Sequence, residues 1–501
     1  MKRKLKSLHI SLLPLSVLLF FFATAATSAG EVDERIKALE EVQRANAEEL
    51  NRLKGEQMEL KKEATAATAA LPNFTYRPGN GLSIQAADRS WEIRFRMDTN
   101  GHISFFPQNR SKDDSIATSE GTAGGASQGT IRMRRIRPAI DWYWGDGLYH
   151  ASILEQWDAA TPQALNFWYD LNFSKWSPYY PTFSFGRKGT LFNPVGANYN
   201  GLTDTTLERP LFENDLLGTT SAMKLALAWN DVPLLFLPGT IDEFSLNYYP
   251  GGMDLKDVSS IPNADHKGFI VALMLAPFNK SKNKWLEGTH LGLGYLTDTQ
   301  NRDVDGEDIT KGSRTFRIRT LIDTNRVTLF RPETRGRREV VTPHVQWRGG
   351  PYRFGVAWDF ARAERDLSGL GKRKFGAATI DTFIVRNGLW IWGPKGFLTG
   401  NESAGGVLAG YTFNRANADA GSGFATNNSF PSFRHQQVDV NTFMLRYLPV
   451  SNVVFSWEYD IYNICNMAGT GTSPTAARRR LGIGTGGGNF QMMSFDMHYR
   501  F

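Results

Sequence analysis

From Trp91 to Phe501 the apolar positions recur with a period of ~2 rather than ~3.6, the pattern of strands with one greasy face. Trp91, Ile93, Phe95 and Met97 alternate with Glu92, Arg94, Arg96 and Asp98. Tyr352, Phe354, Val356, Trp358 and Phe360 alternate with Arg353, Gly355, Ala357, Asp359 and Ala361. Val453, Phe455, Trp457, Tyr459 and Ile461 alternate with Val454, Ser456, Glu458, Asp460 and Tyr462, and residues 316–323, 341–348 and 493–501 follow suit. Between such segments, residues 107–130, 189–220 and 414–431 read as long polar connections, whereas Gly145-Asp146-Gly147 reads as a tight turn. The pattern predicts an all-β domain over residues 74–501, with long loops on one rim and short turns on the other.

The first residues follow different rules. A basic start (Met1-Lys2-Arg3-Lys4-Leu5-Lys6), an apolar core from Ile10 to Phe22 and small residues up to Ala29 predict a signal peptide over residues 1–29. Residues 31–63 carry Ile36, Leu39, Leu50, Leu53 and Leu60 at spacings of three and four, with Gln43, Asn46 and Gln57 on the same seam. This predicts a short coiled coil whose polar seam positions fix register at some cost in stability. Residues 64–73, rich in Ala and Thr and reaching Leu71-Pro72, read as a linker.

A soluble sandwich also alternates, so the choice rests on the aromatic residues and on what is missing. Trp142-Tyr143-Trp144, Tyr179-Tyr180, Tyr248-Tyr249 and the pair Trp390 and Trp392 cluster near segment ends, where a belt between hydrocarbon and headgroups would place them. After the leader, the longest apolar run, near residues 269–278, falls far short of the ~20 residues of a membrane helix. An exported chain without such helices spans a bilayer as a closed barrel. The expected fold is therefore a transmembrane antiparallel β-barrel of about 16 strands, with about 14 to 18 compatible with strands of ~9–11 residues.

Composition removes other classes. The single Cys465 forms no internal disulfide, and Cys and His never fall at zinc spacing. The formal charge of +7 lies partly in the basic leader, so the body is only mildly basic and nucleic acid is not an expected partner. Motifs of the His-Glu-x-x-His or Gly-x-Ser-x-Gly kind are absent. Gly482-Ile483-Gly484-Thr485-Gly486-Gly487 formally matches a dinucleotide fingerprint without its flanking strand and helix, and reads as a loop. Neither cofactor nor metal nor catalysis is expected.

The polar strand faces carry the chemistry of interest. By alternation they hold Arg94, Arg96, Arg317, Arg319, Arg348, Arg353 and Arg500, against Glu92, Asp98, Asp323, Asp359, Glu458, Asp460 and Asp496. So even a balance leaves two roles open, pairing within the wall and guidance of a passing ion. Arg132, Arg134, Arg135 and Arg137 add a basic cluster where alternation breaks. The connection after Lys188, which also holds Arg209, is the candidate constriction, while Arg335-Gly336-Arg337-Arg338 and Arg478-Arg479-Arg480 read as solvated charges.

Several segments resemble the phosphate-selective porin O and P family of Gram-negative outer membranes. They are residues 81–88, Trp91-Glu92-Ile93-Arg94-Phe95-Arg96, Ile131-Arg132-Met133-Arg134-Arg135-Ile136-Arg137-Pro138, residues 341–347 and 350–355, Leu398-Thr399-Gly400-Asn401-Glu402 and the ending Phe495-Asp496-Met497-His498-Tyr499-Arg500-Phe501. The likeness is spread over most of residues 81–501. It implies a trimeric outer-membrane porin of about 16 strands, with an inward-folded loop narrowing the lumen and basic residues guiding anions, phosphate among them. It also implies that Phe501 serves the outer-membrane assembly machinery as a terminal signal. The expected function is a water-filled channel for small hydrophilic solutes with modest anion preference, and the expected partners are outer-membrane lipid, further copies of the chain and small anions or other small solutes. Two alternatives are a structural anchor tethering the envelope through its coiled coil, and a barrel enzyme with Ser or Asp and His at its rim.

Overall fold

The computed structural model describes residues 29–70, 72–105, 129–158, 161–188, 223–249, 268–300, 318–319, 328–330, 336–364, 376–392, 405–419, 421, 435–450, 452–465 and 487–501. It forms two compact units, residues 1–71 and 72–501.

The first unit contains one long helix, α1 (Ala29–Ala70), which takes in residues 64–70 of the segment read as a linker. Its charged surface is laced by short-range pairs, Arg52 with Glu49 and Glu56, and Arg44 with Glu48. Ile36, Leu39, Leu50, Leu53 and Leu60 are all exposed along the predicted seam. Among the described residues, no helix is long and apolar enough to cross a membrane.

The second unit is built from strands β1 (Asn73–Arg77), β2 (Gly81–Gln85), β3 (Trp91–Phe105), β4 (Gly129–Trp144), β5 (Tyr149–Asp158), β6 (Thr161–Asn172), β7 (Thr182–Arg187), β8 (Met223–Pro233), β9 (Thr240–Tyr249), β10 (Gly268–Ala276) and β11 (Thr289–Gln300). They are followed by β12 (Ile318–Arg319), β13 (Thr328–Phe330), β14 (Gly336–Gly349), β15 (Tyr352–Ala363), β16 (Ala378–Trp392), β17 (Gly406–Asp419), β18 (His435–Val450), β19 (Val453–Cys465) and β20 (Gly487–Arg500). Strands β3 to β11 and β14 to β20 pair in chain order, every pair antiparallel, and β20 pairs with β3 to close a barrel of 16 strands. Closure leaves no open edge in the wall.

The seam is shared. β20 pairs with the C-terminal half of β3, from Arg500↔Asp98 to Met493↔Phe105, while β2 takes the N-terminal half from Leu82↔Phe95 to Gln85↔Glu92. Phe501 fills the gap between them: its N–H donates to Met97 O at 2.8 Å, the Met97 N–H donates back at 3.3 Å, and its ring centroid lies 5.2 Å from that of Tyr76. Gly81 enters this seam at φ +82°, where a Cβ would meet Phe95 O at 1.8 Å, so only glycine fits.

One rim carries the connections 145–148, 173–181, 234–239, 277–288, 350–351, 393–405 and 451–452, the other 106–128, 159–160, 188–222, 250–267, 301–335, 364–377, 420–434 and 466–486. The asymmetry expected from the sequence is present, with the long connections gathered mainly on the second rim. Several expectations change. Residues 414–419, read as part of a loop, continue β17, because Phe413 and Arg415 alternate with Asn414 and Ala416 as the rest of that strand does. Of the segment 316–323, read as a wall strand, only residues 318–319 are among the described residues, and they form β12, which pairs with β13 in a separate sheet. Arg337 and Arg338, read as solvated loop charges, belong to β14.

Exposure follows the pleat. Outward positions are large and apolar, as with Phe354, Trp358 and Phe360 on β15, Phe443, Leu445 and Tyr447 on β18, and Phe495 and Met497 on β20. Inward positions on the same strands are buried and include Asp359, Arg446, Asp496 and His498. The wall is thus inverted relative to a soluble protein. Two aromatic residues assigned to the outer belt face inward instead. Tyr143 shares the face of buried Asp141, and Trp390 shares that of buried Arg386. A register shift between Trp390 and Trp392 returns Trp392 to the outside.

Candidate functional site

The inner face of β3 presents Glu92, Arg94, Arg96, Asp98, Asn100, His102 and Ser104 in strict alternation, the last three buried. Across the neighbouring strands these groups enter one polar network. Arg96 Nε donates to Asp141 on β4 at 2.7 Å, and Asp141 also accepts from Ser152 Oγ on β5 at 2.6 Å. His150 on β5 sits between two carboxylates, with Nε2 3.6 Å from Asp141 and Nδ1 3.1 Å from Asp170 on β6. Asp170 in turn accepts from Ser184 Oγ at 2.5 Å, Trp168 Nε1 at 3.1 Å and Lys188 Nζ at 2.9 Å. Arg94 bonds Glu92 at 2.9 Å, and Glu92 also accepts from Ser83 Oγ on β2.

The two charge types differ in their access to water. The Arg94, Arg96 and Lys188 side chains keep 33%, 38% and 34% of their surface exposed, whereas Asp141 and Asp170 keep 2% and 8%. Asp141 and Asp170 lie beneath, held by hydroxyls and the His150 ring, with Arg96 and Lys188 on top, while Glu92 beside Arg94 keeps 20% of its side-chain surface exposed. A strip balanced in formal charge therefore shows its positive side to a solute.

Elsewhere on the inner face the charges are buried or paired. Arg338 is wholly buried against Asp298 of β11, with Nε 2.9 Å from Oδ1 and a second contact through Nη2. At the seam, Arg500 Nε donates to Asp98 at 2.6 Å, and Asn100 donates to Asp496 at 2.8 Å. Arg446 Nε donates to Ser456 at 3.0 Å, and the Arg353 guanidinium lies 5.4 Å from the Trp390 ring centre. Inward positions of β15 to β19 are buried and mixed in character: Asp359, Arg386, Glu458 and Asp460 stand among polar groups such as Thr382, Asn414 and Thr442 and aliphatic ones such as Ala357, Ile384 and Leu408.

The structure thus places Arg94, Arg96 and Arg353 on the inner wall and joins Arg96 and Lys188 through Asp141, His150 and Asp170. Arg137 follows the inward alternation of Ala139 and Asp141 and stands opposite Asp98 in the register. Arg132, Arg134 and Arg135 lie on the β4 backbone, but their side chains are outside the described residues. Arg319 belongs to β12 rather than to the barrel wall, and Arg209 and Arg317 are outside the described residues. Sequence reasoning did not single out Asp141, His150, Trp168, Asp170, Arg386 or Arg446, and it read Arg338 as a solvated charge. The signal was present for some: Trp168 and Asp170 alternate with Phe167 and Tyr169, and Arg446 stands between Leu445 and Tyr447.

No family model matches the chain, and no curated protein matches it. Solved structures do. The outer membrane channel DcaP of Acinetobacter baumannii is similar at 8% identity and a TM-score of 0.47, over 82% of this chain and 98% of that one. An anion-selective porin from Comamonas acidovorans is similar at 9% identity and a TM-score of 0.46, over 82% of this chain and 100% of that one. Pseudomonas putida OprB is similar at 9% identity and a TM-score of 0.45, over 82% of this chain and 94% of that one.

Proposed function

We propose that this chain is an outer-membrane porin, a channel through which small hydrophilic solutes pass with a preference for anions. The observation that carries the reading is the inverted wall: large apolar side chains stand exposed outside, while inside Arg96 and Lys188 present their charge above the buried Asp141 and Asp170, with Arg94 alongside. Hydrocarbon suits the first surface, and the second gives a passing anion a favourable potential. The barrel is closed, so its backbone polar groups are satisfied within the bilayer.

Around this core we place the readings that rest on sequence alone. Residues 1–29 act as the export signal, residues 31–63 as a periplasmic coiled coil joining three copies, and Phe501 as the signal for outer-membrane assembly. The family resemblance adds phosphate to the candidate anions. Single-channel recording from purified protein in a planar bilayer tests the reading. Discrete conductance steps are expected, and a purified, folded protein that yields none would remove it.

A further inference from the structure

The cationic strip is also an aromatic one. Arg94, Tyr143, His150, Trp168 and Lys188 follow one another across β3 to β7 and the residue after it. The Arg94 guanidinium carbon lies 5.3 Å from the Tyr143 ring centre, and Tyr143 stacks on His150 at 4.4 Å with an interplanar angle of 2°. His150 meets Trp168 edge-on at 5.9 Å, and Lys188 Nζ stands 5.7 Å from the Trp168 ring centre. In the register, Trp168 faces Gly186, which offers no side chain.

An inorganic anion would use the cations of this strip and leave its rings idle. Hydrating three cations needs no aromatic neighbours, and Trp and Tyr on the water side of a membrane barrel gain nothing from the lipid interface that would hold them outside. Planar cation faces and ring faces side by side suit a solute that is itself planar and negatively charged. Its carboxylate would meet Arg96 or Lys188, and its ring would lie against the Arg94 face or the Trp168 edge. A cationic aromatic solute fits less well, since Asp141 and Asp170 are buried and already bonded.

We infer that this strip is a binding subsite for small aromatic carboxylates passing through the channel. The inference deepens the porin reading and rests on it. The test compares block of the chloride current by benzoate and by cyclohexanecarboxylate, which match in charge and nearly in size but differ in their π-face. Benzoate is expected to half-block at about three- to ten-fold lower concentration, the difference a ring contact supplies. Trp168→Leu is expected to erase that difference, whereas Lys188→Gln weakens both acids alike. Equal half-block concentrations in a channel that conducts chloride would overturn the subsite and leave the porin reading standing. Absence of any conductance would overturn both. Should Trp168→Leu fail to fold, the comparison of the two acids on the unaltered protein decides by itself.

Discussion

At the scale of single residues, burial of charge on the inner face makes sharp predictions. Arg338→Met would leave Asp298 buried without its cation, at a cost of about 3–5 kcal/mol, whereas the double change with Asp298→Leu should recover most of it. Heat or urea unfolding followed by the electrophoretic shift of the folded barrel reads both. A second case is Gly292, where an added Cβ would fall 1.9 Å from His344 Nε2. Gly292→Ala is expected to cost about 1–3 kcal/mol through overpacking, and His344→Ala in the same chain should relieve it. If the double variant is no more stable than the single one, the clash is not the cause. Neither residue stood out in the sequence. Arg338 sits in a run of basic residues that looks solvated, and its partner lies 40 positions away on another strand. Cross-strand register, which no local pattern encodes, decides such pairs.

At the scale of elements, alternation was legible and its breaks were not. The strands around Trp91, Tyr352 and Val453 could be read because large apolar residues mark one face without interruption. Strand β4 could not be read fully, because a register shift opposite Asn100 and Gly101 interrupts its Arg-rich half. Adjacent aromatic residues misled for a related reason: in Trp142-Tyr143-Trp144 the pleat sends the middle ring inward, beside His150, while the flanking ones stay outside. The facing assignment is testable on a single strand. Phe443→Lys puts a charge on the lipid side of β18 and should destabilise by about 2–4 kcal/mol if the position lies near the bilayer midplane. A neutral effect would place Phe443 outside the membrane. For α1, the expected seam predicts that Leu50→Asp with Leu53→Asp weakens association between copies. Light scattering in detergent checks this, and an unchanged mass would assign the helix another role.

At the scale of the whole molecule, two surfaces of opposite character define what the barrel can do. On the proposed porin reading, the outer one fixes where it resides, and the inner one fixes what it passes. Fold class and a strand number of about 14 to 18 followed from chain length, period and the want of apolar helices, all of which are properties of the entire sequence. Anion preference did not follow, because a count of charges on the polar faces comes out even. The decisive feature is depth, with Asp141 and Asp170 below and Arg96 and Lys188 above, and depth appears only when β3 to β7 lie side by side. The most direct test of this arrangement is the zero-current potential of the channel under a potassium chloride gradient, measured for the unaltered protein and for Arg94→Gln, Arg96→Gln and Lys188→Gln combined. The account predicts chloride preference in the first and its loss in the second. Cation preference in the unaltered channel would contradict it.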